Sequence, residues 1–225
     1  MKKLRIILSL LLLLSSLFWG CTSANTKIEL NEIGSYPRPL IDPLPLNIDV
    51  YYKKEFKEFE TTVIPLITMK SSDPKYNDMF LGHYGPWHIQ LGKSNVALFD
   101  YILHNVFKEV RPADHIPEDI LKMENIDAII EPSINYYDCD FIQRGLKLEC
   151  YVKISYIVKF HVRDRKDTFS WLVKGEGSGF GYVKSPGTLL KEATKVSMRD
   201  VAAKFIVDFC KHEEIKQIFN NQCNQ

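Results

Sequence analysis

The sequence predicts an α+β fold: a two-layer sandwich, with a mostly antiparallel sheet and two amphipathic helices packed on one face. Three observations predict it. From Leu146 to Arg163 the even positions (Leu146, Leu148, Cys150, Val152, Ile154, Tyr156, Val158, Phe160, Val162) are apolar or aromatic, and nearly every odd one is polar. Successive side chains of a strand point to opposite faces, so this is one long strand with a buried face and a wet face, as in an antiparallel sheet. Leu98, Phe99, Ile102, Leu103, Val106 and Phe107 recur at helical spacing between about Ser94 and Val110. Leu190, Ala193, Ser197, Val201, Phe205 and Phe209 do the same between Ser185 and Lys211.

Residues 1–20 read as a targeting segment. Lys2, Lys3 and Arg5 precede the apolar run Ile6 to Leu14, which is too short for an ordinary transmembrane helix. Leu17-Phe18-Trp19-Gly20-Cys21 closes it. Residues 21–45 read as a Pro-rich tether, with Pro37, Pro39, Pro43 and Pro45. Such a tether extends by about 3 Å per residue and either holds the domain off a surface or lies partly along the domain. Residues 46–225 read as a single α+β domain.

Asn47 to Phe56 alternates and predicts a strand. Thr61 to Met69 is apolar but contains Pro65, which makes it an edge strand or irregular. Ser71 to Gly85 reads as a loop, Trp87 to Leu91 as a short strand feeding the first helix. Arg111 to Met123 reads as a connection with a helical turn at Pro117. Asp127 to Asp138 is the next strand, followed by a turn over Phe141 to Gly145. After the long strand, a turn at 164–167 leads into Thr168 to Glu176. Pairing Asp164 with Asp167 sets Val162 opposite Phe169 and Phe160 opposite Trp171, apolar against apolar. The earlier hairpin does not resolve into one register. A turn at Arg144-Gly145 sets Cys139 opposite Cys150 but turns Ile130 and Ile134 to the wet face, and a shift by one does the reverse. A bulge near Tyr137 reconciles the two. The last helix takes Ser185 as N-cap and Pro186 as its first position, and Asn220 to Gln225 forms a polar tail.

Without the three basic residues of the leader, 26 basic face 28 acidic residues, a formal charge of −2. That excludes nucleic acid as a bulk electrostatic partner. Four cysteines remain, Cys139, Cys150, Cys210 and Cys223; in an exported chain they suggest two disulfides, and the sequence-local pairing is 139–150 with 210–223.

Gly92-Lys93-Ser94 before a helix has the end of a phosphate-binding loop, but Trp87 stands where its first glycine belongs. The run Gly175 to Gly181 follows a strand rather than opening a helix and reads as a flexible or bulged strand end. The histidines lack zinc-site spacing. No catalytic constellation, cofactor or metal is expected. The wet face of the long strand offers Lys147, Lys153, Lys159, His161 and Arg163, with Tyr151 and Ile157 among them. Such a basic, partly aromatic face suits anionic lipid head groups or a partner protein; the alternative is a solvated face with Glu149 compensating.

The Gly20-Cys21 step resembles the end of a bacterial lipoprotein signal, whose cysteine is acylated and becomes the first mature residue. Phe18 and Trp19 are bulkier than that pattern, and the alternative is a plain secretory signal. Thr22 after the cysteine implies, by resemblance to Gram-negative lipoproteins, the periplasmic face of the outer membrane. With two helices against an antiparallel sheet, the strand–Gly92–helix unit, and Ala193, Ala202 and Ala203 in the closing helix, the layout resembles small envelope lipoproteins. These are the lipopolysaccharide-assembly lipoprotein and the auxiliary lipoproteins of envelope ABC transporters; the TolB N-terminal domain has a similar plan. The resemblance implies a membrane partner through the Cys21 anchor, an envelope protein partner, and a non-enzymatic adaptor or accessory role. The alternatives are a lipid- or glycolipid-binding carrier, with its cavity between sheet and helices, and a secreted enzyme.

Overall fold

A computed structural model describes residues 26–30, 42–70, 79–113, 125–163, 168–182, 186–219 and 223. The leader, Cys21, the turns at Pro117 and at 164–167, Ser185 and the rest of the tail lie outside the described residues. The elements are β1 (Thr26–Glu29), β2 (Leu44–Val50), α1 (Lys54–Lys57), β3 (Glu60–Val63), β4 (Leu66–Met69), β5 (Met79–His83), β6 (Trp87–Gln90) and α2 (Gly92–Val106). They continue with β7 (Phe107–Pro112), β8 (Ala128–Arg144), β9 (Lys147–Val162), β10 (Phe169–Tyr182) and α3 (Pro186–Asp208). A 3-10 turn (Phe209–Lys211) and α4 (Glu213–Ile218) close the chain.

The fold is α+β, with two sheets. The larger runs β10-β9-β8-β2-β7, and β4 pairs both β8 and β5; the smaller runs β1-β6-β3. The meander β8–β9–β10 is antiparallel, but β2 is parallel to both β7 and β8, and β4 is parallel to β8. The sheet is therefore mixed, where one-sided alternation in the long strand suggested mostly antiparallel pairing. The reason is that β8, 17 residues long, outlasts any single neighbour. Its first residues pair with β2 (Ile48 with Ala128), and its last with β4 (Leu66 with Asp140).

A bulge divides those halves. From Ala128 to Ile134 the pairing sets Ile130 opposite Phe160 and Ile134 opposite Tyr156; from Tyr136 onward it has slipped by one, setting Tyr137 opposite Ile154 and Cys139 opposite Val152. The extra residue, Asn135, stands two positions before the expected site. It turns Ile130 and Cys139 to the same buried side, which no single register can do. The hairpin turn is Gly145-Leu146 rather than Arg144-Gly145, and β8 continues through residues expected to be turn. In the second hairpin Phe160 faces Phe169, two residues from the expected register. A slip of two keeps every side chain on its expected face.

Five other assignments change. Asn47 to Phe56 is not one strand, because β2 stops at Val50 and Lys54–Lys57 is helical, burying Phe56. The apolar run around Pro65 is two strands in two different sheets. Met79–His83, expected in a loop, is a strand on β4. The first helix ends at Val106, and Phe107–Pro112 becomes a strand on β2, since ladder pairing overrides helical periodicity there. Finally, Thr26–Glu29 pairs with β6 in parallel and buries Ile28 and Leu30, so this part of the presumed tether belongs to the domain.

Helices α2 and α3 meet the same side of β9. Tyr156 on β9 donates to Asn95 Oδ1 on α2 (2.7 Å), and its ring lies 5.2 Å from Phe99. Phe99 meets Phe205 of α3 at 6.3 Å, and Phe205 packs on Trp171 of β10 at 4.8 Å. Phe56 joins from α1. Aromatic rings thus occupy the space between sheet and helices, where a lipid cavity was the alternative expectation.

The glycine run is regular strand, not a loose strand end. Gly175, Gly177 and Gly179 face α3 so closely that a Cβ on any of them would overlap helix backbone at Ser197, Ala193 and Leu189 respectively. The missing side chains let the helix lie directly on β10. Cys210 and Cys223 are bridged, fastening the tail to the end of α3. Cys139 and Cys150 are free and buried, so the 139–150 bridge does not form. Cys139 faces Val152 and Cys150 faces Phe141, which makes the thiols diagonal neighbours rather than directly opposed.

Burial holds both thiols protonated, with Cys139 pushed up to about 12. In native protein at pH 8, Cys139 and Cys150 are therefore expected to resist iodoacetamide, and both should react once guanidinium unfolds it, read peptide by peptide in a mass spectrum. Unfolded thiols ionise near pH 8.5 while the folded ones stay protonated, so the contribution of these two thiols to stability should be constant below that pH and be lost as pH rises above it. Fast native alkylation would contradict this placement.

Candidate interaction surface

The outer face of the large sheet carries the six residues read as an interaction face, and the structure divides them. At the β2 end the face is filled. Ile129 is fully buried there with Ile126, against Tyr51 and Ala113. Glu131, also buried, accepts from Lys53 Nζ at 2.6 Å and from His161 Nε2 at 3.2 Å. Lys159 is in register with Glu131 and Ser170 and is half-buried, as is Arg163. His161 is therefore tied to a buried carboxylate, and Lys159 and Arg163 are partly covered rather than open.

The hairpin end is open. Lys147, Tyr151 and Lys153 are exposed. Tyr151 donates to Glu149 Oε2 at 2.8 Å, and Arg144 Nε reaches Glu149 Oε1 at 2.9 Å. The bond to Glu149 raises the Tyr151 hydroxyl above its usual pKa and orients the ring. Lys153 lies between Asp138 and Glu176 in the strand pairing.

Sequence reasoning missed the residues that complete this surface. Phe180 and Tyr182 of β10 are 63% and 70% exposed and flank Glu149 and Lys147 in the pairing, with a shallow cleft of about 420 Å³ between them. Tyr136 beside the bulge donates to Asp138 Oδ2. On the far side of β8, Ile142 pairs with Thr68, which pairs with Phe80. A row across five strands thus reads Phe180, Glu149, Ile142, Thr68, Phe80, with an exposed ring at each end. Phe180 and Tyr182 were legible in principle. The alternation that turns Phe169, Trp171 and Val173 toward the core puts both on the outer face once the strand is carried through the glycines.

Elsewhere, a polar cleft of about 430 Å³ lies at the start of α2, lined by Glu29, Glu58, Glu60, Lys57 and Lys93. The motif that resembled a phosphate loop sits here, with structural roles. Ser94 Oγ donates to the Leu30 carbonyl, and Gly92 backs onto the Lys57 carbonyl, leaving no room for a side chain. Three carboxylates against two lysines make this a poor anion site. Among the described residues there is no group of His, Cys, Asp and Glu arranged to hold a metal ion.

No protein-family model matches this chain, and no curated protein matches it. Among solved structures it is similar to a Helicobacter pylori protein described as a neuraminyllactose-binding hemagglutinin homolog. Identity is 12%, with 86% of this chain and 100% of that chain covered, at a TM-score of 0.44. A second structure, of an uncharacterized protein, shows 9% identity over 80% and 99% of the two chains, at a TM-score of 0.30. At these levels neither says what this chain binds.

Proposed function

We propose that this chain is a lipid-anchored envelope protein, acylated at Cys21, that works as a non-enzymatic adaptor at the periplasmic face of the outer membrane. The observation that carries the adaptor reading is the open hairpin end of the sheet. There Lys147, Tyr151 and Lys153 stand beside the exposed rings of Phe180 and Tyr182. Aromatic rings interleaved with charge, on a rigid sheet rather than a loop, match the anchors of protein–protein interfaces. The anchor reading rests on the leader and on Gly20-Cys21.

Two measurements test it. Intact mass of protein from host membranes should show a chain starting at Cys21 with added acyl mass. A photo-crosslinking residue at Tyr151 should trap one envelope protein, and Phe180→Asp with Tyr182→Asp should abolish that adduct while leaving the melting temperature unchanged. Trapping nothing, or trapping equally well from Val207 on the exposed side of α3, would remove the adaptor reading.

A further inference from the structure

We infer that the corner of the domain formed by Ile64, Leu66, Phe80 and Leu81 rests on the lipid bilayer. This rests on the anchored reading above, and it fixes how the anchored domain is oriented. β1 begins at Thr26 and is held in register on β6. Only residues 22–25 separate it from Cys21, so an extended chain places Thr26 at most about 18 Å from an acylated cysteine. The domain therefore has no long reach from its anchor, and the face near Thr26 meets the lipid.

The pairing identifies that face. Thr26 lies beside Trp87, and Trp87 beside Val63. Two strand spacings put Val63 about 10 Å from Thr26. The chain passes from Val63 through Ile64 and Pro65 into Leu66, which pairs with His83 at the end of β5, close to the start of β6. Ile64 is 57% exposed, Leu66 46%, Leu81 42% and Phe80 58%. Four large apolar side chains thus cluster in water on β4, β5 and the connection into β4, at the corner the anchor reaches. A contiguous exposed apolar patch marks a binding surface. A bilayer fits because the chain's own length brings it there, and because shallow aliphatic and aromatic insertion adds to acyl anchoring.

The test uses acylated protein from host membranes, reconstituted in phosphatidylethanolamine–phosphatidylglycerol vesicles with brominated acyl chains. Phe80→Trp adds an emitter at the patch, Ile64→Trp repeats it, and Val207→Trp on α3 is the control. Wild type supplies the background of Trp87 and Trp171. The added emission of Phe80→Trp and Ile64→Trp should be blue-shifted and mostly quenched by bromine, and that of Val207→Trp should be neither. If the intact mass confirms acylation but Phe80→Trp and Ile64→Trp emit as water-exposed residues and escape quenching, the orientation is wrong and the anchor stands. If the mass shows no acyl group, the anchored reading fails and takes the orientation with it.

Discussion

Replacing Gly177 by valine is expected to cost the domain about 3 kcal/mol or more, at the upper end of overpacking effects. A Cβ there would overlap the Ala193 carbonyl and the Ser197 backbone. Those atoms belong to the α3 main chain and cannot rotate aside as a side chain could. The helix would have to lift from β10, uncovering Leu190, Met198 and Val201, all fully buried. Ser178→Val, on the outer face of the same strand, supplies the contrast and should stay within about 0.5 kcal/mol. Urea denaturation reads the difference as a fall in midpoint at unchanged slope. A Gly177→Val protein with the wild-type midpoint would mean that α3 does not sit on β10 in solution.

Truncating Phe205 to alanine should cost about 3–5 kcal/mol, the range for a fully buried phenylalanine. Its ring is the junction of the core, meeting Phe99 on α2, Trp171 on β10 and Phe209 in the turn after α3. Removing it leaves a hole bounded by rigid rings, which collapse into space poorly. Each kcal/mol lowers the melting temperature of a chain this size by about 2–4 °C, so the drop should be about 6–20 °C. Val207→Ala, two residues along the same helix but exposed, should barely move it. A drop of only a degree or two for Phe205→Ala would show that the two helices do not share this core.

The long meander and both helical stripes were readable because each has one buried face, and burial imprints a period on the sequence. Even the bulge was legible, as a conflict between Ile130 and Cys139 that no single register could satisfy. The unreadable parts follow from pairing between distant segments. Nothing in Phe107 to Pro112 says that β2 lies alongside it; the local pattern continues the helix, and only the ladder ends it. Thr26 to Glu29 is four residues long with one apolar side chain, too short to carry a period, so its place on β6 is a tertiary fact. The surroundings of half of the expected surface were hidden for the same reason. Lys159 lies across from Glu131 and His161 bonds to it, four residues before the bulge at Asn135, and Lys53 comes from the start of α1, far off in sequence. The charges were visible, but what covers them was not.

The glycine track on β10 has a mechanical consequence. Interlocked side chains normally stop a helix from sliding along a strand, yet here the strand is smooth where the helix rests. Axial position must then come from a few discrete latches. Ser197 Oγ donates to the Gly175 carbonyl at 2.9 Å, Asp200 takes the Glu176 N–H at 2.9 Å, Lys204 reaches the Lys174 carbonyl at 3.2 Å, and Thr194 meets the Tyr137 hydroxyl at 2.9 Å. All four fix one helix against two strands, and three of them gather on three consecutive residues of β10. The helix is held like a bolt on a rail: it slides freely over the glycines, and is located by catches at Thr194, Ser197, Asp200 and Lys204 and by Phe205 against Trp171.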